Sequence, residues 1–209
     1  MKRRNFITTA LLSIPAFSLA NLLSEPKKKK LQNEKPYHLK SNESRFFGKT
    51  ASAENLHGRC IVSSADTDSQ LYISSASKLT NAEIGGPALH IHHQSDEIFF
   101  VASGEFLFQI NDDVFFGNEG DTVFVPKGVP HTFANPVAGN PGNLVIIHQP
   151  INENLEKFYE LFCKIGYMNE KILQENISPE LLQDIMKNNV YVGPPIDVES
   201  AMKNLTINH

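Results

Sequence analysis

The chain has 209 residues, 41% of them hydrophobic, with 12 glycines, 12 prolines, two cysteines and a formal charge of −4. That length fits one domain with arms, and the mildly acidic balance argues against nucleic acid or an anionic membrane as partner. Beyond the first twenty residues, no apolar stretch is long enough to span a bilayer.

Residues 1–20 read as an export signal. Lys2-Arg3-Arg4 gives a basic start, Ile7 to Ala20 are uncharged and largely apolar, and Ser18-Leu19-Ala20 offers a small-x-small cleavage site. Arg3-Arg4-Asn5-Phe6-Ile7 resembles a twin-arginine signal, whose pathway carries folded proteins. An ordinary secretory signal and a buried N-terminal helix are the competing readings. Pro15 and the hydrophilic stretch from Glu25 favour export, so the expected location is periplasmic or secreted. Cleavage takes the formal charge from −4 to −7, because Lys2, Arg3 and Arg4 leave with the signal.

Residues 21–57 are a polar N-terminal arm. Its Lys27 to Lys30 run is followed by Gln, Asn and Glu, the texture of a solvated linker. A strand near Arg45-Phe46-Phe47 could add to the body of the protein or to a neighbouring subunit. From Gly58 the texture changes, and residues 58–150 read as an all-β domain. Cys60-Ile61-Val62 and Gln70 to Ser74 are its first strands.

The stretch from Gly85 to Asn135 carries the chemistry. Successive side chains of a strand face opposite ways, so His90 and His92 share a face and Ile91 does not. Neutral imidazole is the commonest metal ligand, which makes this pair half of a site. Four residues, His93 to Asp96, make a turn that lets Glu97 open the next strand facing back at the pair. Ile98 to Ala102 continue that strand, and Gly104 turns the chain into Glu105 to Ile110. There Phe106, Phe108 and Ile110 alternate with Glu105, Leu107 and Gln109. Asn111-Asp112-Asp113 makes a hairpin turn, Val114 to Phe116 return, and Gly117-Asn118 turn again.

Gly120-Asp121 is a further turn, Thr122 to Val125 a short strand, and Pro126-Lys127-Gly128 another turn. Val129-Pro130-His131 then brings a third imidazole onto a strand running through Phe133. Three histidines and one glutamate suit Mn, Fe, Co, Ni, Cu or Zn, and leave positions open on a six-coordinate metal. Leu144 to Gln149 is the closing strand. His148 shares the parity of Leu144 and Ile146 and points inward, but a lone strand histidine reads as hydrogen-bonded packing and stays outside the ligand set. His93 is out of register with the pair and reads as a turn residue or as a neighbour of the ligands rather than a ligand itself. The phenylalanines between Phe99 and Phe133 are core and lumen lining, and a dry aromatic pocket would suit a flat organic substrate.

Residues 151–209 read as a C-terminal helical extension packed outside the barrel. Leu155, Phe158, Tyr159 and Phe162 fall on one helical face. Ser178-Pro179-Glu180 is a helix start with a capping serine and a first-turn proline, and Leu181, Leu182, Ile185 and Met186 supply that helix's apolar face. Cys60 and Cys163 could pair in an oxidising compartment. Neither matches a metal-ligand spacing, and both read as buried, inert thiols.

Two segments of this stretch resemble the paired motifs of the cupin superfamily. His90, His92, Glu97 and Gly104 fit the first, and Gly120, Pro126, Gly128, His131 and Asn135 fit the second without a gap. One position departs: the glycine expected six places before His90 is Ile84, with Gly85 and Gly86 just after it. The resemblance covers about Leu71 to Pro150 and implies an antiparallel jelly-roll barrel. It also implies one divalent transition metal on His90, His92, Glu97 and His131. The tail Tyr191-Val192-Gly193-Pro194-Pro195 is similar to the ending of quercetin dioxygenase-like members. The implied activity is a metal-dependent dioxygenase on a small phenolic or enolic substrate, with Glu97 as base, and the implied assembly is a homodimer. A non-catalytic metal or small-ligand binding cupin is the alternative, as is a non-oxidative cupin enzyme such as an isomerase or decarboxylase. The expected partner is a small-molecule substrate, with no nucleic acid and no membrane after signal cleavage.

Overall fold

The computed structural model describes residues 35–76, 84–139, 142–166 and 175–207. The chain divides into a unit of residues 1–36 and a unit of residues 37–209, and the description below is of the second. The expected signal of residues 1–20 and the Lys27 to Lys30 run lie outside the described residues.

In chain order the strands are β1 (Glu43–Phe46), β2 (Lys49–Ser52), β3 (Arg59–Val62), β4 (Tyr72–Ser75), β5 (His90–His92) and β6 (Asp96–Ser103). They continue with β7 (Glu105–Ile110), β8 (Asp113–Asn118), β9 (Thr122–Val125), β10 (His131–Ala134) and β11 (Asn143–Gln149). Helix α1 (Glu153–Ile165) and helix α2 (Pro179–Asn188) follow, then β12 (Asn189–Tyr191) and helix α3 (Val198–Ile207). A short 3-10 turn, Ser64–Thr67, links β3 to β4.

Two five-stranded antiparallel sheets face each other, in the orders β12-β5-β10-β7-β8 and β3-β4-β11-β6-β9. This is the antiparallel jelly-roll barrel that the motif resemblance implies. Alternation places the core: Phe99 and Val101 of β6 and Phe106 and Phe108 of β7 are fully buried, while Phe100 is 40% exposed on the outer face. Leu144, Val125 and Ala76 complete that inner cluster, each large side chain contributing about 1.5–3 kcal/mol by leaving water.

Leu107 breaks the alternation, being buried on the opposite face from its neighbours. The reason is α3: Leu107 and Ala134 pack there against Ile196, Val198, Ala201, Met202 and Leu205. One helix of the extension thus covers the outside of the barrel, as expected. The rest of the extension does more. Helix α1 sets Tyr159, Phe158 and Leu155 against Cys60 and Tyr72 of the other sheet, and β12 joins the first sheet as its edge strand beside β5.

Helix α1 starts at Asn152, whose side chain accepts from Leu155 N–H at 2.7 Å, and ends at Gly166 in the left-handed region, φ 84°. Its Glu156 carboxylate is fully buried and accepts from the backbone N–H groups of Phe47 and Ser64, both at 2.9 Å. The Ser64 hydroxyl donates to it as well. One carboxylate therefore ties α1 to the 3-10 turn and to the β1–β2 hairpin.

That hairpin falls within the polar arm and contains the strand expected near Arg45. It forms its own two-stranded sheet and reaches β3 through the Ser44 hydroxyl, which accepts from Cys60 N–H at 3.0 Å. Gly117 also differs from the sequence reading, because it stays within β8 instead of turning. A Cβ there would come within 2.5 Å of the Phe108 ring, so glycine is what lets that ring lie flat on the strand. Cys60 and Cys163 are both buried and unpaired, and burial pushes the Cys163 thiol up to about 12. No helix among the described residues is long and apolar enough to cross a membrane.

Candidate metal centre

Strand β5 is three residues long and carries two imidazoles on one face. It is held on both sides: His90 stands opposite His131 of β10, and His92 stands opposite Asn189 of β12. The second motif's turn is pinned to the first, since Gly128 N–H donates to the His92 carbonyl at 2.8 Å. The three imidazoles of this sheet face Glu97, which β6 presents from the other sheet with the same parity as Phe99 and Val101. One ligand atom from each of His90, His92, Glu97 and His131 lies within 4.8 Å of all the others. All four residues expected from the sequence are therefore brought together.

The glycine displacement has a physical account. Gly85 exchanges two backbone hydrogen bonds with Asn135, at 2.9 and 2.8 Å. At Gly86 a Cβ would sit 1.8 Å from the carbonyl oxygen of Phe133. The close approach of the strand leading to His90 and the strand leaving His131 needs glycine at position 86, whereas Gly85 meets no neighbour and is needed for its positive φ of 116°. Ile84, by contrast, is 56% exposed.

Each imidazole is fixed through Nδ1. His90 Nδ1 donates to the Ala88 carbonyl and His131 Nδ1 to the Val129 carbonyl, both at 2.8 Å. His92 Nδ1 donates to the side-chain oxygen of Asn189. A carbonyl can only accept, so the proton sits on Nδ1 in each ring and Nε2 is left as the atom for a metal. His131 Nε2 is 2.6 Å from Glu97 Oε2. His92 Nε2 is buried and makes no hydrogen bond, although Glu97 Oε2 lies 3.1 Å away. Three imidazole nitrogens and one carboxylate, one nitrogen orphaned, fit a divalent transition metal.

The electrostatics agree. Burial opposes the charge on Glu97, but His148 and His92 beside it and the hydrogen bond from His131 hold the carboxyl well below its usual range. Burial, helped by His92, pushes His90 down to about 4. Burial also works against protonating His131, yet the hydrogen bond and charge of Glu97 hold it above its usual value. Without metal, the His131 proton bridges to Glu97, and metal uptake must displace it.

The sequence reads His148 as hydrogen-bonded packing outside the ligand set. It lies outside the four, fully buried, but its Nε2 faces Glu97 Oε1 at 3.3 Å. Neither of its ring nitrogens makes a hydrogen bond, and burial pushes it down to about 3. Tyr159 of α1 stacks on it, ring centroids 5.0 Å apart. Sequence reasoning missed Asn189 and Tyr159 as neighbours of the site; for His148, its inward parity was the available signal. His93 is exposed in the bend after β5, as expected.

Residues 81–148 match the family described as Cupin domain. An uncharacterized protein of Methanocaldococcus jannaschii is 34% identical over 47 residues, which is 22% of this chain and 38% of that protein. The match therefore spans well under half of that relative's length. Among solved structures, KdgF from Halomonas sp. is similar at a TM-score of 0.38 and 13% identity, covering 49% of this chain and 86% of that one. A Streptomyces PAC13 variant with a tyrosine-to-phenylalanine change, solved with uridine, is similar at a TM-score of 0.44 and 12% identity. That likeness covers 79% of this chain and 97% of that one.

Proposed function

We propose that this chain is a cupin holding one divalent transition metal on His90, His92, Glu97 and His131, and that it works as a dioxygenase on a small phenolic or enolic substrate. The observation that carries the reading is the set of three imidazoles whose Nδ1 protons are all given to carbonyls, with His92 Nε2 buried and unpartnered beside Glu97. The likeness of the tail Tyr191 to Pro195 to quercetin dioxygenase-like members supports the reaction class. A metal bound there would supply a Lewis-acidic centre with open positions, redox-active for every candidate but zinc.

The chain's own residues bind, orient and move protons. Glu97 is held ionised, the form that takes a proton from a substrate hydroxyl within hydrogen-bond reach. Its Oε1, turned away from His131, faces Nε2 of the buried His148 at 3.3 Å. Phe99 lies 6.1 Å from the His131 ring and continues into Phe108 and Phe133, an apolar wall that keeps water from the site. His90 is the one ligand of the four that is not fully buried, and half-exposed Tyr191 stands 6.4 Å from it. Substrate is read as approaching on that side. Export as a soluble protein that meets a small molecule rather than nucleic acid or membrane belongs to the same proposal, supported by the basic, apolar first twenty residues and the acidic remainder.

One observation favours the non-catalytic reading: His92 and Glu97 are each 3% exposed and His131 1%. A metal so enclosed could serve binding alone. The deciding experiment is metal content by mass spectrometry, with oxygen uptake recorded on a flavonol and on simple catechols. Stoichiometric metal and substrate-dependent uptake, both lost in Glu97→Gln, are expected. Metal without uptake would favour the binding protein, and no metal after reconstitution would overturn both readings.

A further inference from the structure

The three imidazoles are not fixed alike. His90 and His131 give their Nδ1 protons to backbone carbonyls two residues upstream, on their own segments of chain. His92 gives its proton to Asn189, a side chain 97 residues away in the sequence. The Asn189 amide is itself held: its Nδ2 donates to the Ile185 carbonyl at 2.8 Å, in the last turn of α2, which leaves Oδ1 as the atom facing His92. Around this contact β12 runs antiparallel to β5, with Asn189 opposite His92 and Tyr191 opposite His90. His93 N–H donates to the Asn188 carbonyl at 2.8 Å and closes the pairing.

We propose that Asn189 is a positioning residue for the metal, and that it makes metal affinity depend on the docking of α2 and β12 against β5. The inference rests on the metal-binding reading above. Asn189 holds His92 in the tautomer that leaves Nε2 bare and fixes the plane of the ring. Outer partners of metal-bound histidines typically change affinity about 10–100-fold when removed. The dependence is reciprocal, so metal must tighten the hold of β12 on β5 by the same factor that β12 tightens the hold on metal.

The test titrates wild type, Asn189→Ala and Asn189→Asp with zinc and with cobalt against a chromophoric chelator. Nitrogen NMR of the His92 ring, in metal-free protein, reports the tautomer separately. Asn189→Ala is expected to bind both metals about 10–100-fold more weakly and to lose the fixed Nδ1–H form. Asn189→Asp keeps an acceptor for His92 but cannot donate to Ile185, and is expected to stay within about threefold of wild type, short of that range. A purely structural asparagine would make both variants fall together, because both lose the Ile185 bond. That result, or an Asn189→Ala affinity equal to wild type, overturns the inference. A wild type that takes up neither metal overturns the metal reading instead, and the tautomer measurement then still decides the role of Asn189.

Discussion

His148 stands directly opposite Glu97 on the neighbouring antiparallel strand, its Nε2 3.3 Å from Glu97 Oε1. The other carboxylate oxygen faces His92 and His131, so Glu97 is gripped from two sides. His148→Phe keeps a ring stacked against Tyr159 and removes the nitrogens. The expected result is a folded protein whose metal affinity falls about tenfold, the lower end of what losing a polar neighbour of a ligand costs. Competition titration beside a thermal melt checks it, and unchanged affinity would assign His148 to packing.

The same burial sets a pH dependence in metal-free protein. His90 and His148 are pushed from the usual 6.5 to about 4 and about 3. As pH falls below 6.5 the unfolded chain takes up these two protons and the folded chain does not, so stability falls with pH toward 4. Glu97, held low, contributes stability that is present above the usual 4.5 and is lost as pH falls through its folded value. His131, held high, works in the opposite direction, one group against two in the range above 4.5. Urea midpoints at pH 7 and pH 5 should drop in that order. A higher midpoint at pH 5 would contradict the sign.

Gly86→Ala places a methyl group 1.8 Å from a backbone oxygen that has no rotamer to move aside. Destabilisation of about 3 kcal/mol is expected, the upper part of the range for overpacking. Ile84→Gly, at an exposed position, should cost less than about 1 kcal/mol. Denaturant unfolding of the two variants compares them, and equal losses would argue against the close approach as the reason for glycine.

Glu156→Ala leaves the N–H groups of Phe47 and Ser64 and the Ser64 hydroxyl without their acceptor. Hydrogen bonds to a charged group are worth about 1.5–3 kcal/mol each, so losing all three is expected to cost at least about 4.5 kcal/mol. For a chain of this size that lowers the melting temperature by about 10 °C. Glu156→Gln, which keeps one acceptor oxygen, should lose about half as much. Metal binding by the folded fraction should not change, and calorimetry with a metal titration separates the two effects.

The four ligand positions are legible in the sequence because what places them is local. Strand parity aligns His90 with His92, the turn of His93 to Asp96 returns Glu97, and Pro126 to Gly128 re-enters with His131. What stays hidden comes from far along the chain. No spacing rule connects His92 to Asn189, or His148 to a tyrosine on α1. Periodicity in β7 places Phe106 and Phe108 correctly, yet it cannot say that Leu107 on the other face will be covered by α3. The β1–β2 hairpin is obscure for another reason: every residue from Lys49 to Ser52 is exposed, so its second strand carries no apolar period. Gly117 shows the limit of composition, since the same residue serves a turn or a strand crossed by an aromatic ring.

The hold of Asn189 on His92 also has a place in time. Strand β11 ends at Gln149, and forty more residues must be made before Asn189 exists. At roughly 5–20 residues per second, translation spends about 2–8 s on that stretch. Through that interval a nascent barrel can already carry His90 and His131 with their ring nitrogens assigned, while His92 is still free to present either one.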